Sequence, residues 1–218
     1  MPKTIVILSG GMDSTVLLAY LLARGDEAKC LTIDYGQRHR REIESAKAVA
    51  AHYRVEHRVA DLSGLRQFLK GSSQTEEGIA VPEGHYAAEN MKLTVVPNRN
   101  MLMLAVATAW AISEKAEAVA YGAHAGDHAI YPDCRPEFAD ALGQAILLCD
   151  WHKVALETPF AHMTKGQIAT LGRTLVVPFH LTWTCYVGGE RPCGKCGACQ
   201  ERAEAFAFAG IADPLEMP

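Results

Sequence analysis

Two groups of residues have types and spacings that could do chemistry. The first is Ser9-Gly10-Gly11-Met12-Asp13-Ser14, set between a β-branched run and an apolar helical pattern. Consecutive glycines permit a tight turn whose backbone N–H groups close on an anion without side-chain hindrance. A helix starting there aims its unpaired N–H groups and positive dipole end at the same point. Ser9 and Ser14 add hydroxyl donors. Asp13 would repel a bare phosphate, so it needs a role such as capping the helix or holding Mg²⁺ against the phosphates. An ordinary glycine turn is the plain alternative, but the strand–loop–helix context favours a phosphate site.

The second group is Cys185, Cys193, Cys196 and Cys199, four cysteines within 15 residues. Short Cys-x-x-Cys steps let the sulfurs converge on one tetrahedral ion about 2.3 Å away, with Gly194 and Gly197 easing the turns. A closed four-cysteine set suits a structural Zn²⁺. The rival is an iron–sulfur cluster, since Cys193, Cys196 and Cys199 also match part of a ferredoxin run. In that run the last cysteine precedes a proline, whereas Gln200 follows Cys199. Cys30, Cys134 and Cys149 are scattered and are expected to be packing residues.

Strands alternating with helices must position these groups. Strands are expected at 4–8, 28–34, 55–60 and 118–122, and helices at 14–24, 41–53, 101–115 and 165–175. Residues 137–157 mix a helix with a following strand, and 64–96 form an irregular insertion or lid. Asp13 or Ser14 is expected as N-cap of the first helix and Gly25 as its C-cap. The alternation implies an α/β fold with a parallel sheet covered by helices on both faces. Residues 1–180 form its nucleotide-binding domain and 181–218 a small C-terminal metal knuckle.

Composition removes several function classes. With 49% hydrophobic and 21% charged residues, the 218-residue chain is globular. Its 21 Lys+Arg against 25 Asp+Glu leave a charge of −4, not the positive excess of a nucleic-acid binder. The basic run Arg38-His39-Arg40-Arg41 reads as a solvated helix start. The apolar run 16–23 is too short to span a bilayer. Thr4–Leu8 is too short for a signal peptide, so a reduced, cytoplasmic setting is expected. Walker-type, dinucleotide-binding, zinc-protease and nucleophile-elbow motifs do not occur.

The remaining motif, S-G-G-x-D-S, resembles the pyrophosphate-binding loop of the ATP pyrophosphatase (PP-loop) superfamily, whose members split ATP between the α and β phosphates. Lys165-Gly166-Gln167-Ile168, with Leu171, Gly172 and Pro178, resembles that superfamily's late lysine helix. The resemblance implies an ATP site at Leu8, Ser9, Gly10, Gly11, Met12, Asp13, Ser14 and Thr15, with Lys165 as a second phosphate contact. Asp34 to His39, Val96 to Asn100, Tyr131 to Phe138 and Thr182 to Tyr186 narrow the match. Together with the four cysteines, these blocks resemble the family of 7-cyano-7-deazaguanine synthases of queuosine biosynthesis.

That resemblance implies a carbon–nitrogen ligase joining 7-carboxy-7-deazaguanine to ammonia at the expense of ATP, with Mg²⁺. It also implies a homodimer with neither nucleic acid nor membrane as partner. Asp13, Lys165 and His128 are the expected catalytic residues. A guanine-like edge offers adjacent N–H donors, so Asp133 or Glu137 is expected to read it, unless Asp133 caps the helix at Pro136. Arg99, Arg135 or Lys153 would meet the substrate carboxylate. Asp127 and His128 fall in a glycine-flanked loop at the expected ligand edge. Two competitors are a sulfur-inserting tRNA-modifying PP-loop enzyme and a non-catalytic nucleotide-binding module. The first needs reactive cysteines near the loop; the second needs neither the lysine helix nor the knuckle.

Overall fold

A computed structural model describes residues 1–85 and 88–215. Residues 86–87 of the expected insertion and 216–218 of the expected knuckle segment lie outside the described residues. Five parallel strands, β1 (Lys3–Ile7), β2 (Glu27–Asp34), β3 (Glu56–Asp61), β4 (Ala118–Ala120) and β5 (Ala155–Glu157), lie in the order β3-β2-β1-β4-β5. Six helices surround them: α1 (Met12–Arg24), α2 (Arg41–Tyr53), α3 (Arg99–Glu114), α4 (Pro136–Leu148), α5 (Lys165–Thr174) and α6 (Gly197–Ala209). No helix is long and apolar enough to cross a membrane among the described residues.

The period of two along each strand divides the interior into two cores. Val6, Leu8, Cys30 and Ala120 point to one face and meet apolar side chains of α1, α2, α5 and α6. Ile5, Ile7, Leu31, Ile33 and Val119 point to the other and meet α3 and α4. The sheet is thus a parallel layer between two helical layers, as the alternation implies. Ala205, Phe206 and Ala209 of α6 belong to the first core, which joins the end of the cysteine segment to the main body.

β1 is flanked by β2 on one side and β4 on the other, and the chain leaves toward opposite faces on either side of it. Such a switch point opens a crevice at the carboxyl ends of the strands. The glycine loop lies at that end. Among the described residues of 62–98, which include the insertion expected at 64–96, the helical turns are two short 3₁₀ turns, Ser63–Phe68 and Glu89–Thr94, in agreement with an irregular insertion.

Several local readings need correction. The N-cap of α1 is Gly11, and neither Asp13 nor Ser14 caps it with a side chain. Gly25 does close the helix in the left-handed conformation, at φ 97°. α3 begins two residues early, which brings Arg99 into its first turn. The N-cap of α4 is Arg135, with no side-chain cap from Asp133. Cys30 and Cys134 are buried, but Cys149 is exposed. In the basic run, Arg38, Arg40 and Arg41 are exposed whereas His39 is buried.

Candidate active site

Internal hydrogen bonds shape the glycine loop. Gly11 O accepts from the hydroxyls of Ser14 (3.1 Å) and Thr15 (2.8 Å), and the Ser9 and Ser14 hydroxyls meet at 3.0 Å. Gly10 has φ 83°, and a Cβ there would lie 2.2 Å from Glu42 O. Only glycine allows the first turn of α2 to seat against the loop. From the other side, Trp183 N–H donates to Gly10 O at 2.9 Å. The loop is thereby clamped between α2 and the segment leading into the cysteines.

Five ionisable side chains gather where α1 begins. Lys165 Nζ lies 3.2 Å from Asp13 Oδ2 and 2.7 Å from Glu201 Oε2. His124 Nε2 is 3.8 Å from Asp13 Oδ2 and 3.6 Å from Asp127 Oδ2. His124 Nδ1 accepts from Gly126 N–H, which leaves the ring proton on Nε2, facing those carboxylates. The Asp127 carboxylate also accepts from His124 N–H at 3.2 Å and so fixes the loop after β4.

Burial shapes the charges. It pushes the Asp13 carboxyl up, but Lys165 and His124 together overcome it and hold Asp13 below its ordinary value. Burial likewise opposes a charged Lys165, and the nearby carboxylates of Asp13, Glu201 and Asp127 outweigh it, so the ammonium persists. Glu201 is driven upward by burial, partly offset by Lys165. Lys165, only 10% exposed in its side chain, is no solvated helix start. Its position in the first turn of α5 adds a cation next to the helix dipole's positive end, suited to an anion between them.

A cavity opens from this cluster across the strand ends. Leu8, Ser9, Gly11, Met12, Asp13 and Ser14 line it, together with Lys165, Arg99 and Asp127. His128, Asp133 and Arg135 are not among its lining residues. Asp133 instead accepts from Asn100 N–H at 3.0 Å and so satisfies the start of α3. Arg135 is exposed and donates to His128 O at 2.9 Å. Glu137 is exposed on α4, and Lys153 donates to the carbonyls of Leu147 and Asp150.

Sequence reasoning missed Glu42, Glu201 and His124. Glu42 sits in the first turn of α2 and lines the cavity beside Tyr35 and Arg99. Burial raises its carboxyl to about 7, against the opposing pull of Arg99. Tyr35 rises through burial as well, partly countered by the Arg99 charge. Glu201 lies on α6, whose Ala/Glu-rich stretch after Cys199 is an ordinary helix signal and could have exposed it.

The four cysteines converge as expected. One sulfur from each lies within 4.8 Å of the others, and Cys193 and Cys199 are 4.0 Å apart. A tetrahedral ion with bonds of about 2.3 Å needs sulfurs roughly 3.8 Å apart, so this set could hold one metal ion. Backbone N–H groups of Cys193, Lys195 and Cys196 donate to these sulfurs at 3.3, 3.4 and 3.3 Å, orienting the ligands.

Known proteins resemble this chain in sequence and in fold. The family model for queuosine biosynthesis protein QueC matches residues 3–210. The 7-cyano-7-deazaguanine synthase of Methanoregula boonei is 52% identical over 214 residues, covering 98% of each chain. That of Caldicellulosiruptor saccharolyticus is 49% identical, over 98% of this chain and 95% of the relative. A 4-thiouridine synthetase solved with RNA and bound ATP superposes at TM-score 0.56 with 15% identity, over 96% of this chain and 50% of that one. NMN synthetase from Francisella tularensis gives 0.52 with 16% identity, over 97% and 78%. At such identities these two structures speak for the fold. The sequence matches go further, since they run from the glycine loop through all four cysteines: the chain belongs to the queuosine biosynthesis protein QueC family.

Proposed function

We propose that this chain synthesises 7-cyano-7-deazaguanine as an ATP-dependent carbon–nitrogen ligase acting on 7-carboxy-7-deazaguanine and ammonia. The observation carrying the reading is the near-full-length similarity to relatives bearing that synthase name, 52% and 49% identical. Acid to amide to nitrile involves two losses of water and no change of oxidation state. Each loss requires an oxygen to become a leaving group, which transfer of AMP achieves. The substrate carboxylate attacks the α-phosphorus and releases pyrophosphate; ammonia then displaces AMP and gives the amide. The amide oxygen is adenylated in turn, and loss of a proton and AMP gives the nitrile.

In this scheme the glycine loop and the start of α1 hold the departing pyrophosphate. Lys165 neutralises charge that develops on it, which is where a preorganised cation is most effective. Asp13 Oδ1 is buried and without a hydrogen-bond partner among the described residues. Such an oxygen, in a cluster richer in carboxylates than cations, suits Mg²⁺, which when bound would neutralise phosphate charge. Zn²⁺ fits the knuckle better than an iron–sulfur cluster, because one thiolate on each of several irons would spread the sulfurs further apart. Sulfur insertion is disfavoured by the cysteine that lines the cavity. Cys134 is buried, and its thiol is pushed well above the ordinary value by that burial, so it makes a poor nucleophile.

The test is direct. Protein carrying its full metal complement is incubated with ATP, ammonia and 7-carboxy-7-deazaguanine, and products are followed by mass spectrometry. Nitrile, AMP and pyrophosphate are expected; no nitrile under these conditions overturns the reading.

A further inference from the structure

Three carboxylates line the cavity: Asp13, Asp127 and Glu42. The first two are engaged at the phosphate end, Asp13 with Lys165 and Asp127 with His124. Glu42 bonds to neither Lys165 nor His124, and it shares the cavity wall with Arg99 and Tyr35. Among the described residues no hydrogen-bond donor meets its carboxylate, and the side chain is half-buried at the cavity wall. A half-buried acceptor that faces a cavity with no protein donor is open to a ligand that completes it. Its place is also fixed, because the backbone oxygen of Glu42 itself rests against Gly10, tying it to the phosphate loop.

The chemistry of the pair selects its partner. An ionised carboxylate only accepts, through two oxygens, and a guanidinium only donates. Facing one cavity, they present a donor fork and two acceptors. Along one edge the six-membered ring of a guanine-like base presents the complement: an accepting exocyclic carbonyl oxygen, a ring N–H and an exocyclic amino group. Adenine presents an amino donor beside a bare ring nitrogen and leaves an ionised carboxylate half satisfied. We propose that Glu42 and Arg99 form the subsite that reads the guanine-like edge, Glu42 accepting from the ring N–H and the 2-amino group and Arg99 donating to the carbonyl oxygen. This inference rests on the deazaguanine reading above. It moves base recognition from Asp133 and Glu137 to Glu42, and it gives Arg99 the base carbonyl oxygen instead of the substrate carboxylate.

Steady-state kinetics with 7-carboxy-7-deazaguanine and with its analogue lacking the 2-amino group test it. Wild-type protein should disfavour the analogue roughly 10- to 100-fold in kcat/KM, the range for a hydrogen bond to a charged group. Glu42→Gln should raise KM for the deazaguanine by a similar factor, leave KM for ATP within about threefold and lose most of the discrimination. A wild-type enzyme indifferent to the 2-amino group overturns the inference without any variant. So does a variant that still discriminates fully, or whose KM rises for ATP alone. The readings fail separately: no nitrile from wild-type protein defeats the synthase reading, whereas nitrile formed with unaltered discrimination in Glu42→Gln defeats only this one.

Discussion

Replacing Lys165 by methionine tests the ionic cluster most severely, because it separates stability from catalysis. Lys165 Nζ bridges Asp13 at 3.2 Å and Glu201 at 2.7 Å, with the side chains 10%, 20% and 10% exposed in the order Lys165, Asp13, Glu201. Methionine keeps the apolar stem and deletes the charge, leaving Glu201 buried without its cation. Removing one partner of a buried pair costs about 3–5 kcal/mol, because the other charge stays desolvated. For a chain of this size, that corresponds to a fall in Tm of roughly 6–20 °C. Lys165→Met/Glu201→Gln removes both charges and should recover about 1–3 kcal/mol, an interaction energy normal for groups in one network. Turnover should stay lost in the double variant, since neither replacement supplies a cation to the phosphates. Urea unfolding of the four proteins of the cycle, with metal content matched, provides the measurement. Lys165→Met within about 1 kcal/mol of wild type would mean the ammonium is solvated and the argument wrong. Strict additivity in the double variant would show that Lys165 and Glu201 do not act as a pair.

Three further outcomes are expected. Asp13→Asn should fold normally yet lose ATP-dependent adenylation, measured by pyrophosphate exchange; near-normal turnover would remove Asp13 from the mechanism. Purified protein should hold one zinc per chain, and Cys199→Ser should lower that content and loosen α6 in hydrogen exchange, whereas iron with acid-labile sulfide would overturn the zinc assignment. Glu42 makes stability depend on pH in a definite sense. Its folded carboxyl sits at about 7 against an ordinary 4.5. A raised carboxyl contributes stability that is fully present below the unfolded value and lost as pH rises through the folded one. Glu42→Gln should therefore gain on wild type from under about 1 kcal/mol at pH 5 to about 3 kcal/mol at pH 8, compared by urea unfolding at each pH. A gap that stays flat across that range would show Glu42 to be solvated.

The sequence announces those parts of the molecule that are decided locally. A β-branched strand, two glycines and an apolar helix specify the phosphate loop within 25 residues, and the structure shows that unit. The cysteine spacing specifies the knuckle in the same way. What stays hidden depends on contacts remote along the chain. Asp133 offered two local readings, base recognition or capping of α4, and it instead satisfies Asn100 N–H, 33 residues earlier. Glu42 is one of several charged residues at the start of an amphipathic helix, and nothing local distinguishes it from its exposed neighbours Arg41 and Glu44. It reaches the cavity wall because Gly10 admits the first turn of α2. His128 and His124 lie in the same short loop, and the structure turns His124 toward Asp13.

The metal knuckle also reaches further into the chemistry than its place at the end of the fold implies. Trp183 N–H holds Gly10 O, and the Trp183 ring N–H holds Cys185 O, so one residue links the glycine loop to the four-cysteine cluster that could hold a metal. Cys196 caps α6, Cys199 lies in its first turn, and Glu201 follows two residues later to hold Lys165. Closing four sulfurs on one ion thus fixes the start of the helix that delivers Glu201. Arg202 anchors the same turn, 1% exposed and bonded to Asp213, Thr182 and Thr184. A lysine in a carboxylate-rich pocket has several partners to choose among, and small displacements would draw it wholly toward Asp13. With Glu201 held by the knuckle, Lys165 is shared between two carboxylates and stays directed at the space above the glycine loop. Metal removal should therefore weaken ATP binding before it unfolds the sheet. Calorimetric titration with ATP alongside far-UV circular dichroism follows both; simultaneous loss of sheet and affinity would leave the knuckle no role in aiming Lys165.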